Sequence, residues 1–233
     1  KTIQIIVNQL DNEELANRVE ESCKKVLRYK YRLGITKYQP QSELFVDNDL
    51  HQAKYYNLKQ RLYNEAVTML NNSKETLPLA KDYEIAVVSL GGDNNVAKQL
   101  EKEGYKIKSY VLDKNIGKSD KTRIINDLKN YENVVVNVQG TSIYATKNFG
   151  ITDEMLDFVK DLSKNNKIIL NLFACPYALD KFSLKKNPVA VIIGYEDTKY
   201  AVNAVTSVLS GKLNPKGKLP VTINKKYRVG YIA

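Results

Sequence analysis

The length, composition and charge of the chain narrow its class before any motif is considered. Its 233 residues, 43% of them apolar, are enough to bury the core of one full-sized domain and an appendage. No apolar run reaches the roughly 18 residues that a membrane span requires, so we expect no membrane span. The net charge of +10 comes from dispersed lysines rather than a basic helix or an arginine stripe. This argues against a nucleic-acid partner and leaves attraction to an anionic polymer open.

The N-terminal region is predicted to be helical and separate from the rest of the chain. Apolar residues recur with helical period over residues 11–34. The polar stretch 36–48, which contains Pro40, is predicted to form a domain boundary. Because the chain begins with Lys1 inside a helical pattern, without an initiator methionine or a signal peptide, we expect it to be a fragment of a longer protein.

A second helix is predicted over 49–72, after which strands and helices alternate. Short apolar runs, several of them β-branched, predict strands buried on both faces at 85–90, 107–112, 134–138, 168–172 and 189–194. Helices are predicted at 94–103, 118–130, 152–165 and 198–211. The alternation predicts an α/β fold, a doubly wound and mostly parallel sheet of about five strands with helices on both faces. Pro220 lacks a backbone donor, so the short strand 219–223 is predicted to complete the sheet as an antiparallel edge.

In such sheets ligands bind at the carboxyl ends of the strands, and the loops there offer few catalytic groups. The glycine-rich segment 91–95 lacks the spacing of either phosphate-binding motif, so it is predicted to form a turn and a helix cap. The only histidine, His51, lies outside the predicted sheet, which leaves no Ser-His-Asp arrangement. The carboxylates in these loops are Asp93, Asp113, Glu196 and Asp197. The last two are adjacent and precede a helix, whose N-terminal dipole they are expected to stabilise.

The two cysteines carry no sign of a metal or disulfide role. Cys23 and Cys175 are far apart in sequence, and neither has a histidine or a second cysteine at metal-ligand spacing. We therefore expect no metal site and no cofactor, with both residues acting as ordinary apolar side chains. Such sparse use of cysteine fits the cytosol and equally fits bacterial exported proteins.

Three stretches resemble motifs of glycoside hydrolase family three, in the order in which that family has them. Residues 18–34 resemble the helix that closes the family's first domain. Residues 65–72, followed by 77–79, are similar to the passage into its second domain. Residues 211–223 resemble the G-x-x-N-P-x-G-K-L-P-V-T stretch that follows the last helix of that second domain. Together they span nearly the whole chain, which is therefore identified as resembling the C-terminal α/β sandwich domain of this family.

The resemblance implies a division of the chain and a partner. Residues 1–36 would be the helical end of a missing barrel domain, 37–48 a linker and 49–233 the sandwich domain. In the family the catalytic aspartate lies on the preceding barrel, so the implied partner is the N-terminal barrel domain of the same polypeptide. The chain alone would carry no catalytic residue and would be inactive. The apolar face of helix 11–34 would need to be covered, by the sandwich or by a second copy in a dimer.

The loop after the third strand, residues 139–150, narrows the resemblance to one branch. In the β-glucosidase branch this loop supplies a glutamate acid/base, whereas here it contains no carboxylate. The β-N-acetylglucosaminidase branch uses a histidine on the barrel instead. The resemblance therefore implies N-acetylglucosaminides of bacterial peptidoglycan as the carbohydrate substrate, and a periplasmic or exported location. The loop residues expected to contact the sugar are Gln139, Thr141, Tyr144 and Asn148.

Three alternatives remain open. The chain could be the C-terminal domain of a β-glucosidase, a binding module for an anionic glycan, or a stand-alone α/β enzyme with an unrecognised site. The net charge favours the second alternative. The missing catalytic motifs disfavour the third.

Overall fold

The computed structural model describes residues 2–37, 43–182 and 188–233. The chain divides into two compact units, Lys1–Gln52 and Ala53–Ala233. The helices of the first unit are α1 (Thr2–Val7), α2 (Glu13–Arg32) and α3 (Glu43–Leu50).

The helix predicted over residues 11–34 is confirmed as α2. Asn12 caps its start, because the Asn12 side chain accepts a hydrogen bond of 3.1 Å from the backbone N–H of Leu15. No residue of α2 is buried. Helix α3 occupies part of the stretch that was predicted to be a linker, whereas Pro40 lies outside the described residues.

The second unit alternates strands and helices after an initial helix. Its strands are β1 (Thr68–Asn72), β2 (Ile85–Leu90), β3 (Ile107–Leu112), β4 (Asn133–Val138), β5 (Lys167–Leu172) and β6 (Pro188–Ile193). Its helices are α4 (Ala53–Ala66), α5 (Asn95–Lys102), α6 (Lys118–Asp127), α7 (Asp153–Leu162) and α8 (Lys199–Leu209). The strands lie in the order β1-β6-β5-β4-β2-β3. Strands β2 to β6 run parallel and β1 is antiparallel to β6, which confirms the predicted fold class.

The identity of the edge strand differs from the prediction. The second helix ends at Ala66 instead of continuing to residue 72, and β1 pairs with β6 from Thr68 opposite Ile193 to Asn72 opposite Ala190. Residues 219–223 form no strand. The N–H of Leu219 instead donates to the carbonyl of Tyr231 at 2.9 Å, so this segment pairs with the C-terminal turn and leaves the sheet edge to β1.

Alternate residues of the strands build a hydrophobic cluster on each face of the sheet. One cluster joins residues such as Val88 and Val136 to α6 and α7. The other joins residues such as Val87 and Val135 to α5 and α8. Burying each large aliphatic side chain contributes about 1.5 to 3 kcal/mol, which explains why the strands read as continuous apolar runs.

The strand order also locates the crevice of the sheet. Among the parallel strands, β2 lies between β3 and β4, so the chain order reverses between β2 and β4. In open α/β sheets the carboxyl ends of the strands at such a reversal flank the ligand crevice. Here these ends lead into residues 91–95 and 139–150.

Candidate functional site

The loop that leaves β4 begins with two residues that are held by one carboxylate. Gln139 is 1% exposed, and its Nε2 donates to Oδ1 of Asp197 at 3.0 Å. The backbone N–H of Gly140 donates to Oδ2 of the same carboxylate, also at 3.0 Å. We call Gln139 and Gly140 the neck of the loop, because residues 141–150 extend from them.

The neck is also fixed from the opposite side. The Lys114 ammonium donates a hydrogen bond to the carbonyl oxygen of Gly140. Gly140 has φ +61°, and a Cβ at this position would lie 2.1 Å from the carbonyl oxygen of Gly91. Only glycine satisfies both the left-handed backbone and this close approach.

The Gln139 side chain packs against the turn that follows β2. A Cβ on Gly92 would lie 2.4 Å from Cβ of Gln139, so these two residues lie in close contact at the carboxyl ends of β2 and β4. Gly91 forms the predicted turn with φ +72°, and Oδ1 of Asp93 accepts from the N–H of Asn95 at 2.9 Å. Segment 91–95 is therefore a turn with a local cap, as its sequence predicts.

The remainder of the loop is fixed by its own hydrogen bonds and by β5. Thr141 Oγ1 donates to the carbonyl of Phe173 at 2.7 Å, and the N–H of Ser142 donates to the carbonyl of Phe149 at 2.8 Å. Asn148 and Phe149 both adopt positive φ, at 51° and 56°, and Asn148 Nδ2 donates to the carbonyl of Ile151 at 2.8 Å. The Phe149 side chain is buried beneath the loop. The backbone of the loop is therefore well defined.

The tip of the loop faces solvent. Ile143 is 76% exposed and Tyr144 is 57% exposed, and the ammonium of Lys147 lies 5.6 Å from the centre of the Tyr144 ring. An exposed aromatic ring on a fixed backbone offers an apolar face to a sugar, and the lysine adds a positive charge beside it.

The four sugar-contact residues predicted from the sequence fall into two groups. Gln139, Thr141 and Asn148 make hydrogen bonds to other atoms of the chain, so their present contacts shape the loop. Tyr144 projects a largely exposed side chain. Direct sugar contact by any of the four remains a prediction.

The two adjacent carboxylates precede α8, as predicted, and each also accepts hydrogen bonds from other elements. The Tyr63 hydroxyl donates to Glu196, which raises the pKa of Tyr63 above its usual value. Asp197 accepts from the neck. Helix α8 is capped by Thr198 instead, whose Oγ1 accepts from the N–H of Ala201 at 3.3 Å. Sequence reasoning thus found Asp197 but not its hydrogen bonds to Gln139 and Gly140, and stabilisation of the helix dipole remains a prediction.

The remaining candidate residues are one histidine and two cysteines. Nδ1 of His51 lies 2.9 Å from Oδ1 of Asp47 on the surface of the first unit. Cys23 and Cys175 are free thiols. Across residues 2–37, 43–182 and 188–233, no three His, Cys, Asp or Glu side chains are grouped as metal ligands would be. No helix in the same ranges has the length and apolar character to cross a membrane.

Lys114 is the partner of the neck that sequence reasoning missed. It follows Asp113 in the loop after β3, at the same edge of the sheet as the loops after β4 and β6. Its position at a strand end was the available signal. Which of several strand-end lysines would reach Gly140 depends on packing between distant segments.

Comparison with known proteins identifies relatives of this fold. The family model described as the glycosyl hydrolase family 3 C-terminal domain matches residues 67–230. A glycoside hydrolase family 3 β-N-acetylglucosaminidase from Paenibacillus sp. str. FPU-7 superposes with a TM-score of 0.69 at 17% identity, covering 89% of this chain and 40% of that one. A β-glucosidase from Listeria innocua in complex with glucose superposes with a TM-score of 0.69 at 18% identity, covering 94% of this chain and 33% of that one.

A β-glucoside phosphorylase also superposes, with a TM-score of 0.65 at 21% identity, covering 91% of this chain and 40% of that one. No curated protein matches the sequence. The chain thus spans 40% or less of these three solved chains. At these identities the structural similarity establishes the fold.

Proposed function

The chain belongs to the family of glycosyl hydrolase family 3 C-terminal domains, and from this premise we propose that it is the non-catalytic second domain of a β-N-acetylglucosaminidase. Its partner is an N-terminal barrel domain of the same polypeptide, which carries the catalytic residues. The substrate class is N-acetylglucosaminides of the peptidoglycan type. The second domain provides scaffold and one rim of the substrate cleft.

The observation that carries this proposal is the absence of a carboxylate from residues 139–150. This loop lies at the carboxyl end of β4, where α/β folds place ligand contacts. Its exposed groups are an aromatic ring, a lysine and neutral side chains, which can hold a sugar or an anionic peptide portion. They cannot protonate a leaving group as a carboxylic acid does. A glucosidase that takes its acid from this loop would need a carboxylate there.

The test compares two substrates on the full-length protein that contains this domain. We expect turnover of a chromogenic N-acetylglucosaminide and much weaker turnover of the matching glucoside. The 233-residue chain alone should turn over neither. A full-length protein that prefers the glucoside would overturn the assignment to the N-acetylglucosaminidase branch and favour the β-glucosidase alternative.

The rim role is tested at Tyr144. We expect Tyr144→Ala in the full-length protein to raise KM severalfold, on the scale of about 1 kcal/mol for a lost aromatic contact, with little change in kcat. Tyr83→Ala is the matched control, because Tyr83 is 48% exposed and lies just before β2, at the amino ends of the parallel strands, whereas Tyr144 lies at their carboxyl ends. Equal kinetics for both variants would leave the loop with a packing role only.

Variants of Asn148 separate the effect of its left-handed backbone from the effect of its side chain. Asn148→Gly keeps the backbone at φ 51° without strain, whereas Asn148→Ala adds the cost of a left-handed alanine. A raised KM in both variants would mean that the amide itself matters, by contacting the sugar or through its hydrogen bond to the carbonyl of Ile151. An increase for Asn148→Ala alone would mean that the residue acts through the shape of the loop.

A second candidate function is favoured by the net charge of +10. A basic surface would attract an anionic glycan at low ionic strength. Sedimentation of the 233-residue chain with purified peptidoglycan, repeated across a salt series, tests this candidate. Strong, salt-sensitive binding by the isolated chain would make it a binding module in its own right.

A further inference from the structure

We propose that Asp197 is a positioning residue that holds the loop 139–150 in the shape required for sugar contact. The sugar-facing part of this inference rests on the proposed function above. The anchoring part stands on the hydrogen bonds of the neck alone.

One carboxylate fixes two consecutive residues of the neck. Its two oxygens accept separately from the Gln139 side chain and from the Gly140 backbone, both at 3.0 Å. Hydrogen bonds to a charged acceptor are stronger than neutral ones, and the bond from buried Gln139 is partly shielded from water, whereas Asp197 itself and its bond to Gly140 are exposed. Two bonds to adjacent residues restrain the direction in which the chain leaves β4, which a single bond would not do.

Asp197 reaches the neck from two strands away. It follows β6, whereas the neck follows β4, and β5 lies between them. The carbonyl of Phe173, just after β5, accepts from Thr141 at 2.7 Å. The loops after β4, β5 and β6 are therefore linked by hydrogen bonds at the carboxyl ends of these strands.

The turn that carries Asp197 is itself built for this reach. Tyr195 has φ +68°, a conformation that is rare and costly for a bulky side chain. Its hydroxyl lies 2.6 Å from Oγ1 of Thr68 on β1, and the N–H of Glu196 donates to the carbonyl of Gly194 at 2.8 Å. The strained turn at Tyr195 is thus tied to edge strand β1 by the hydrogen bond to Thr68. The same turn places Asp197 so that its side chain reaches past β5.

Lys114 completes a clamp of opposite charges. Its ammonium bonds the Gly140 carbonyl, and its own carbonyl accepts from Oγ1 of Thr152 at 2.7 Å. Lys114 therefore contacts the residues at both ends of the loop, while Asp197 holds the neck from the other side. A loop held in this way keeps Tyr144 exposed without leaving its backbone free, so sugar binding would not have to order the loop.

The first arm of the test is hydrogen exchange on the 233-residue chain. The reporters are the amides of Ser142 and Phe149, which bond within the loop and do not touch Asp197. We expect Asp197→Ala to speed their exchange on the order of ten-fold, because the loop opens more often once the neck is released. Asp93→Ala is the control, since its carboxylate accepts from Asn95 within its own loop, and it should leave these amides unchanged.

Asp197→Asn distinguishes positioning from acid–base chemistry. The asparagine oxygen can still accept from Gly140, and the Gln139 amide can turn so that its oxygen accepts from the new NH₂ group. We therefore expect exchange within about three-fold of the original and an unchanged kcat in the full-length protein. A large loss of kcat in Asp197→Asn with normal loop protection would overturn the proposal, because it would assign the carboxylate to the chemistry.

The second arm measures KM and kcat of the full-length Asp197→Ala protein. Faster loop exchange with a raised KM and a nearly constant kcat supports the proposal in full. Unchanged exchange of Ser142 and Phe149 in a folded Asp197→Ala chain overturns it, whatever the kinetics. Faster exchange with unchanged KM supports the anchoring and overturns the rim role, which is the failure of the proposed function rather than of the clamp.

Discussion

Asn171 Nδ2 donates a hydrogen bond of 2.8 Å to Oδ1 of Asn137 in the interior of the sheet. Asn137 in turn donates to Oγ of Ser89 at 3.2 Å. The three residues are opposite one another on the adjacent strands β5, β4 and β2, and none is more than 1% exposed. They form a polar ladder across an otherwise apolar sheet. Asn137, the middle member, lies two residues before Gln139.

The ladder predicts a stability defect that depends on which member is removed. Asn137→Ala leaves buried groups of both neighbours unpaired, so we expect a loss of about 2 to 4 kcal/mol in the free energy of unfolding. Urea unfolding followed by circular dichroism measures it. The exposed Asn165→Ala is the control, with an expected change below about 0.5 kcal/mol.

Replacing the whole ladder should cost less than breaking it. Ser89→Ala, Asn137→Leu and Asn171→Leu together remove every polar group of the ladder and fill the space with apolar atoms. We expect this triple variant to be more stable than Asn137→Ala, because no buried polar group is left unpaired. A triple variant that is less stable than the single one would contradict this account.

The hydrogen bond between Tyr131 and Glu84 predicts a pH dependence of stability. The Tyr131 hydroxyl donates to the Glu84 carboxylate, and this bond, together with burial, raises the pKa of Tyr131 to about 12. An unfolded tyrosine titrates near pH 10. Since the folded state holds the proton more tightly, the contribution is fully present below about pH 10 and is lost as the pH rises towards 12.

Tyr131→Phe tests this sign. We expect the variant to be less stable at pH 8 by about 0.5 to 1 kcal/mol, a small value because the pair is partly exposed to solvent. The difference should shrink between pH 10 and 12. Tyr83→Phe, at an exposed tyrosine, serves as the control. A difference that stays constant up to pH 12 would rule out the hydrogen bond as its cause.

The apolar side of α2 predicts self-association of the 233-residue chain. Val26 and Leu27 are 53% and 57% exposed, and no residue of α2 is buried. We expect Val26→Ser combined with Leu27→Ser to weaken association in light scattering, because covering each aliphatic side chain favours association. Lys25→Ser is the control on the same helix. A chain that is monomeric at every concentration would contradict the prediction.

The parallel strands were predictable because their signal is local. Strand β2 has the bounds that its apolar run predicts, since a strand buried on both faces must be apolar throughout. Strand β3 also has its predicted bounds, but the prediction that it is buried on both faces was wrong, because it lies at the edge of the sheet and exposes residues such as Val111. The edge strand was not predictable in this way. Residues 65–72 have apolar side chains at helical spacing, and only pairing with β6 makes Thr68–Asn72 a strand. Tertiary hydrogen bonds override local propensity there.

The candidate site, too, was only partly predictable from the sequence. The position of the loop 139–150 follows from the strand order, because the carboxyl ends of parallel strands share one edge. Its anchors do not follow from the sequence. Asp197 and Gln139 are 58 residues apart, and their contact depends on the left-handed backbone of Tyr195. No sequence pattern marks a tyrosine for that conformation.

Two glycines with left-handed backbones, Gly140 and Gly230, should differ in how much stability is lost when each is replaced by alanine. Gly140 and Gly230 have φ +61° and +82°, so alanine at either position costs about 1 to 2 kcal/mol for the left-handed conformation. A Cβ on Gly230 would meet nothing within 4 Å, whereas one on Gly140 would lie 2.1 Å from the Gly91 carbonyl. We therefore expect Gly140→Ala to lower the free energy of unfolding by at least about 3 kcal/mol, and Gly230→Ala by only about 1 to 2 kcal/mol. Urea unfolding of both variants measures the difference. Equal losses would mean that the neck moves aside at no cost, which is incompatible with a clamp that holds it from both sides.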